Sequence, residues 1–303
     1  MLFINKFNGY LVAYYHLISD KKTPYYKGKK VSLETFKKHI KYFKKTKEFV
    51  SFHEISKLKK SGKNLSKYIV LTFDDGYRLN LESISDFLQD EKITATFFLS
   101  GCVFEKKLMW RDHISFGYNF LLKSSQANAN DFLNSFEKSL NWKYPDFINK
   151  YLSICEEFGI PSQESILNEW KPYSSISSLE TLIANGHDIG LHSQNHPYFK
   201  NLTTEEAISE VVQNNELVKS FFNIEPIVFS FPFGARHDDP LFYKKVMKKT
   251  KIEFFCGINA SLFSNRLGDS KLFTERLGME DHRPLFFSTK IRPLFRGIKS
   301  LWK

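Results

Sequence analysis

YIVLTFDDG, residues 68–76, is the stretch on which the reading of this chain turns. Its first six residues run apolar or β-branched without alternation, as a strand covered on both faces should. Two aspartates and a glycine follow at once. Adjacent ionised carboxylates at a strand end repel, so the arrangement calls for a compensating positive charge. A bound divalent cation would supply it, with one aspartate as ligand and the other free as a base. The alternative is a turn in which an aspartate caps the following helix.

Working outward, the pattern alternates strand and helix. GYLVAYY (9–15) reads as a strand, and a Lys-rich helix opened by Ser32 follows, with Phe36, Ile40 and Phe43 on its apolar stripe. EFVSF (48–52) reads as a strand and HEISKLKKSG as a short helix stopped by Gly62. Beyond the aspartates the spacing predicts a helix over 80–91, a strand ITATFFLS, a helix SSLETLIANG and a strand HDIGLH. Thr203 and Glu206 form a capping box for a helix reaching about Phe222; PIVFSF, a helix over 239–250 and EFFCGI complete the series. Such alternation implies a parallel barrel or a doubly wound sheet. Residues 104 to about 175 interrupt it with helical patches and no clear strand, which reads as a helical insertion packed on the barrel.

HSQNHP, residues 192–197, is the second chemical motif. His192 ends a predicted strand, and the residue before Pro197 is biased away from helix, so the two imidazoles sit on a strand-end loop. Strand C-terminal ends are where α/β barrels place their sites. Two histidines and one carboxylate make a common catalytic zinc set with a position left open.

TFDDG, HSQNH and FSFPFG stand in the order of the first three motifs of the polysaccharide deacetylase (NodB-homology) family, carbohydrate esterase family 4, which the chain resembles over residues 10–104 and 176–280. YYHL, VSLETFKKHIKYF and NGHDIGLHS look like it too. The resemblance implies a distorted (β/α) barrel, one divalent metal ion (usually zinc, with cobalt, nickel or manganese compatible with the same donors) and hydrolysis of an acetyl group from a sugar. Carried onto this chain, Asp74 matches the catalytic base, and Asp75, His192 and His196 match the metal ligands. The metal would polarise the acetyl carbonyl and acidify a water, Asp74 would take its proton, and a backbone N–H near Phe233 would help hold the oxyanion.

The chain departs from the family pattern at the third motif. Ser230 stands where an arginine usually orients the base, and Phe233 where a tyrosine is usual. The closing motif that supplies the general acid is not recognisable. FTERLGMEDH offers Arg276 as a replacement for the arginine and His282 as the acid. His16, at the end of the first strand, is a candidate to face the site; Trp110 and Arg111 are candidates to stack on a sugar, or Trp110 to fill the core. His187 and Asp188 read as braces of the His192 strand.

The 303 residues are 42% apolar and 25% charged, with 31 Phe, enough for a large core. No run approaches the roughly 18 apolar residues of a membrane span. Cys102, Cys155 and Cys256 are widely spaced and odd in number, which argues against a disulfide framework; with no signal-like start, they lead us to expect a cytoplasmic protein. The net charge of +11 points to anionic partners. Residues 1–280 read as one barrel domain and 281–303 as a basic amphipathic tail, KIRPLFRGIKSLWK, either docked on the barrel or touching the inner face of the cytoplasmic membrane. The expected partner is a glycan, glycolipid or lipid-linked sugar, and no nucleic-acid recognition motif appears. The expected function is metal-dependent removal of an N-acetyl group; the rivals are an O-acetyl esterase on the same site and a catalytically impaired glycan- or membrane-binding homologue.

Overall fold

The structure is a computed structural model, and it describes residues 9–136, 146–260, 264–265 and 273–280. The tail over 281–303, with His282, lies outside the described residues. In chain order the elements are β1 (Leu11–Tyr15), α1 (Leu33–Lys44), β2 (Glu48–Phe49), α2 (Phe52–Lys60), β3 (Tyr68–Phe73), α3 (Arg78–Asp90) and β4 (Ala95–Leu99). Six helices follow: α4 (Gly101–Glu105), α5 (Trp110–Leu122), α6 (Gln126–Asn134), α7 (Asp146–Glu157), α8 (Gln163–Trp170) and α9 (Ile176–Ala184). Then come β5 (Asp188–Leu191), α10 (Thr204–Phe222), β6 (Val228–Ser230), α11 (Pro240–Lys249), β7 (Phe254–Gly257), β8 (Phe273–Glu275) and β9 (Leu277–Gly278).

Every strand pairing is parallel, and the sheet runs β8-β7-β6-β5-β4-β3-β1-β9, with β2 beside the start of β3. β8 and β9 are successive pieces of one segment, parted only by Arg276. One piece pairs with β7 and the other with β1, so the sheet curls into a nearly closed barrel. Parallel strands put all their C-terminal ends at one rim. That rim therefore carries the residues after β1, β3, β4, β5 and β6.

The sequence explains the main elements. All six residues of β3 are buried, as its unbroken apolar run requires. α1 is capped by Ser32 and buries Phe36, Ile40 and Phe43. The strand expected over 48–52 shrinks to two residues because Ser51 and Glu54 form a capping box that turns the chain into α2. Rings supply much of the packing behind the rim: Phe199, Phe229, Phe231 and Phe255 contact one another at centroid separations of 4.8–6.2 Å. The three cysteines are free and buried. No helix among the described residues is long and apolar enough to cross a membrane.

Candidate active site

The Asp-Asp-Gly turn ends β3 at the rim. Asp75 and Gly76 both lie in the left-handed region, with φ of 74° and 68°. Two successive residues of that kind explain the glycine, which adopts it without a Cβ clash. The strain re-aims the two carboxylates: Asp74 continues the strand, its N–H bonded to the Tyr15 carbonyl at 2.9 Å, while Asp75 swings away. Neither aspartate caps α3, whose N-cap position is Tyr77 with no side-chain cap bond. The capping alternative therefore falls.

Asp75 meets His192 and His196. The Nε2 atom of each ring stands 3.3 Å from Asp75 Oδ1, and the three ligand atoms lie within 4.8 Å of one another. All three residues are buried. Asp75 Oδ1 receives no hydrogen bond despite being inaccessible to solvent. A buried anionic oxygen without a donor is expensive unless a cation takes that place. His192 donates its Nδ1–H to the Ser230 carbonyl at 2.7 Å, which turns Nε2 toward Asp75. Burial, with the nearby Arg111 charge, lowers the His196 pKa to about 4, so this ring is neutral at pH 7 and able to ligate. Two imidazoles and a carboxylate with an unpartnered oxygen fit a divalent metal ion.

The other Asp75 oxygen accepts from Arg111 Nη2 at 2.8 Å. Arg111 opens α5 and is itself held by Tyr77, at 2.7 Å, and by Asp112. Burial works against the Asp75 charge, but the Arg111 guanidinium leads the influences that outweigh it, and the Asp75 pKa lies well below the usual carboxylate range. The histidine loop is clamped from behind by α10. Glu210 is buried and accepts from the Asn195 N–H and from Asn195 Nδ2, both at 2.8 Å, while Asn214 Oδ1 accepts from the His192 N–H at 3.0 Å. His196 adopts φ 55°, and its carbonyl accepts from the Trp110 indole at 3.0 Å.

Asp74 sits in a different environment. Arg276 Nη1 and Nη2 bond its two oxygens at 2.6 and 2.9 Å, and Nη2 also reaches Ser230 Oγ at 2.6 Å. Arg276 is 1% exposed. Burial raises the Asp74 pKa, but Arg276, with lesser help from His192 and His16, brings it below the ordinary value. His16 Nε2 lies 4.0 Å from Asp74 Oδ2 on the side open to solvent. Its Nδ1 bonds Glu280 Oε2 at 2.9 Å. Burial disfavours the imidazolium, but Glu280, Asp75 and Asp74 outweigh it, and the His16 pKa rises to about 9.

The structure thus gathers Asp74, Asp75, His192, His196, Arg276 and His16 at one rim. Phe233 joins them with φ 57°, its ring 4.9 Å from that of His196 and 37% of the residue exposed. Trp110 is buried, and its indole N–H is taken by the His196 carbonyl. His187 accepts from the Ala95 N–H at 3.1 Å and Asp188 contacts His53 at 3.1 Å, both away from Asp75, His192 and His196. Glu280, Glu210 and Asn214 have roles that sequence reading missed. Only Glu280 had a local signal, its nearness to Arg276 in TERLGMED.

Comparisons with known proteins bear on the family and the fold. The family model described as polysaccharide deacetylase matches residues 61–255. A curated relative, the uncharacterized protein YlxY of Bacillus subtilis, is 24% identical over 90 residues, a stretch that spans 30% of this chain and 28% of that protein. Among solved structures, the Streptococcus pyogenes deacetylase PplD in complex with acetate superposes with a TM-score of 0.60 at 12% identity, covering 89% of this chain and 92% of that one. IcaB from Ammonifex degensii gives 0.60 at 16%, covering 94% and 95%. A de-N-acetylase from Aggregatibacter actinomycetemcomitans gives 0.62 at 13%, covering 93% and 99%. At such identities the likeness is one of fold.

Proposed function

We propose, from the premise that this chain belongs to the polysaccharide deacetylase family, that it hydrolyses the N-acetyl group of a sugar within a glycan or a lipid-linked glycan precursor, using one divalent metal ion. The observation that carries this reading is the unpartnered, buried Asp75 Oδ1 between two imidazole nitrogens, beside a second carboxylate gripped by an arginine.

Asp75, His192 and His196 would hold the ion, and when bound it would polarise the acetyl carbonyl and make water a stronger acid. Asp74 is the base. Arg276 keeps it ionised and fixes its orientation, at the cost of making it a weak base. A weak base suffices only where the water's proton has been made acidic, so the two halves of the site depend on each other. His16, protonated at neutral pH and 4.0 Å from Asp74, is the proton donor to the sugar nitrogen as the C–N bond breaks. Glu280 orients the ring through Nδ1 and leaves Nε2–H toward the site. His282, expected in the donor role, lies outside the described residues.

The test is acetate release from N-acetylhexosamine oligomers and lipid-linked sugars, with O-acetylated sugars in parallel. The full chain is assayed as purified, after chelation and with zinc restored. Release from the N-acetylated set that vanishes on chelation and returns with zinc is the expected result. Release confined to O-acetylated sugars would replace the amidase reading by an esterase. Metal bound at one per chain with no release from any sugar would favour a binding protein.

A further inference from the structure

A cleft of about 570 Å³ opens beside the proposed proton donor. Its walls include His16, Tyr26, Lys27, Lys29, Arg111 and Glu280. The lysines come from the loop between β1 and α1, and the backbone that presents them is anchored. Tyr25 is buried and its ring lies 6.0 Å from that of Tyr77; Tyr26 meets the same ring edge-on at 5.3 Å. Asn119 Nδ2 on α5 donates to the Pro24 carbonyl at 2.8 Å. Lys27 Nζ sits 4.3 Å from the centre of the Tyr118 ring.

The charges in this cleft are unbalanced. Glu280 is the one carboxylate among the described residues lining it, and His16 takes that carboxylate through both its backbone N–H and Nδ1. Neither Lys27 nor Lys29 forms an ion pair with a carboxylate among the described residues. Like charges along a cleft with low-dielectric walls focus the field on whatever enters. A neutral acetamido sugar offers two such ammonium groups oxygen acceptors but no opposite charge, whereas an oxyanion offers both.

We propose that the cleft is a subsite for an anionic group, a phosphate or carboxylate oxyanion, carried by the glycan next to the sugar that is deacetylated. This rests on the hydrolase reading above and adds the substrate's charge to it. His16 belongs both to the cleft and to the surroundings of Asp74, so the anion lies one sugar or one phosphodiester away from the reacting acetyl group.

The experiment is calorimetric titration of the zinc-loaded full chain with three probes: N-acetylglucosamine, N-acetylglucosamine 1-phosphate and a disaccharide of N-acetylglucosamine and glucuronic acid. Wild type is compared with K27Q/K29Q, and unfolding midpoints establish that the variant is folded. Tenfold or tighter binding of an anionic probe over the neutral one is expected, with the preference lost in K27Q/K29Q and weakened at 0.5 M salt. The phosphate and uronate arms show which oxyanion is preferred. Equal binding of charged and neutral probes overturns the subsite. So does a preference that survives in K27Q/K29Q, which would place the anion on the metal instead. Binding is read without turnover, so a failure of acetate release leaves this result standing. Acetate release without charge preference sinks the subsite alone.

Discussion

Arg276 holds both oxygens of Asp74, at 2.6 and 2.9 Å, from a segment 202 residues further along the chain. It also donates to Ser230 Oγ, the residue at the motif position where the resembled family has its arginine. The guanidinium that grips Asp74 therefore comes from the β8–β9 break, and the small Ser230 leaves room for it. The bidentate fork fixes the carboxylate plane as a point charge would not.

Replacing Arg276 by alanine should leave a buried carboxylate without its partner. We expect a stability loss of about 3–5 kcal/mol by denaturant titration. Acetate release should fall, and the acid limb of its pH profile should move to higher pH, because Asp74 loses the charge that lowers its pKa. Arg276→Lys should be intermediate, and adding Ser230→Arg to Arg276→Ala should recover part of the activity. An unmoved acid limb in Arg276→Ala would show that Asp74 is not the titrating base.

The two aspartates should separate cleanly. Asp75→Ala and His192→Ala should bind no zinc by equilibrium dialysis and release no acetate. Asp74→Asn should keep one zinc per chain while turnover drops by about 10²–10⁴-fold, the usual contribution of a general base. Zinc binding lost equally in Asp74→Asn would mean that both carboxylates ligate.

The pH profile should report His16. Its pKa is raised to about 9, so the imidazolium persists through neutrality and activity should fall as pH rises through about 9. Glu280→Gln removes the main raising influence and leaves burial unopposed, so the alkaline limb should move to lower pH. The same linkage affects stability. An unfolded-chain histidine titrates near ~6.5, so the His16–Glu280 contribution is full below that pH and lost as pH rises through about 9. An alkaline limb unchanged in Glu280→Gln would assign the proton donor elsewhere.

Glu210 should tune the metal site without touching it. Its two oxygens hold the Asn195 N–H and Asn195 Nδ2, one residue before His196. In Glu210→Gln one of those acceptors becomes a donor facing a donor. Zinc affinity should fall about 10–100-fold against a competing chelator, while the circular dichroism spectrum of the folded chain is retained. Unaltered affinity would show that the histidine loop is held by Asn214 and its backbone alone.

Much of the architecture was legible from local pattern. The doubly covered run at 68–73, the capping box at Thr203 and the alternation of periods are short-range signals, and the barrel follows from them. The strand over 48–52 was misjudged because apolar alternation and a capping box competed for the same residues, and the cap prevailed at Ser51. Trp110, a candidate to stack on a sugar or to fill the core, is buried, and its indole N–H goes to the His196 carbonyl, 86 residues on.

By itself the sequence determined the cluster of Asp75, His192 and His196 and its neighbour Asp74. Asp75 and Asp74 are covalently adjacent, His192 and His196 share one short loop, and each pair follows a strand whose end must reach the rim. The tertiary structure decided the pairings of Asp74 and His16. Arg276 meets Asp74 and Glu280 meets His16 only because the β8–β9 segment lies alongside β1 when the barrel closes, at separations of 202 and 264 residues. Before closure the sequence offers Arg276 and His16 only as candidates, and it does not name Glu280 as the partner of His16. Their selection is made by burial, where a charge must find the one partner within reach or bear the full loss of its hydration.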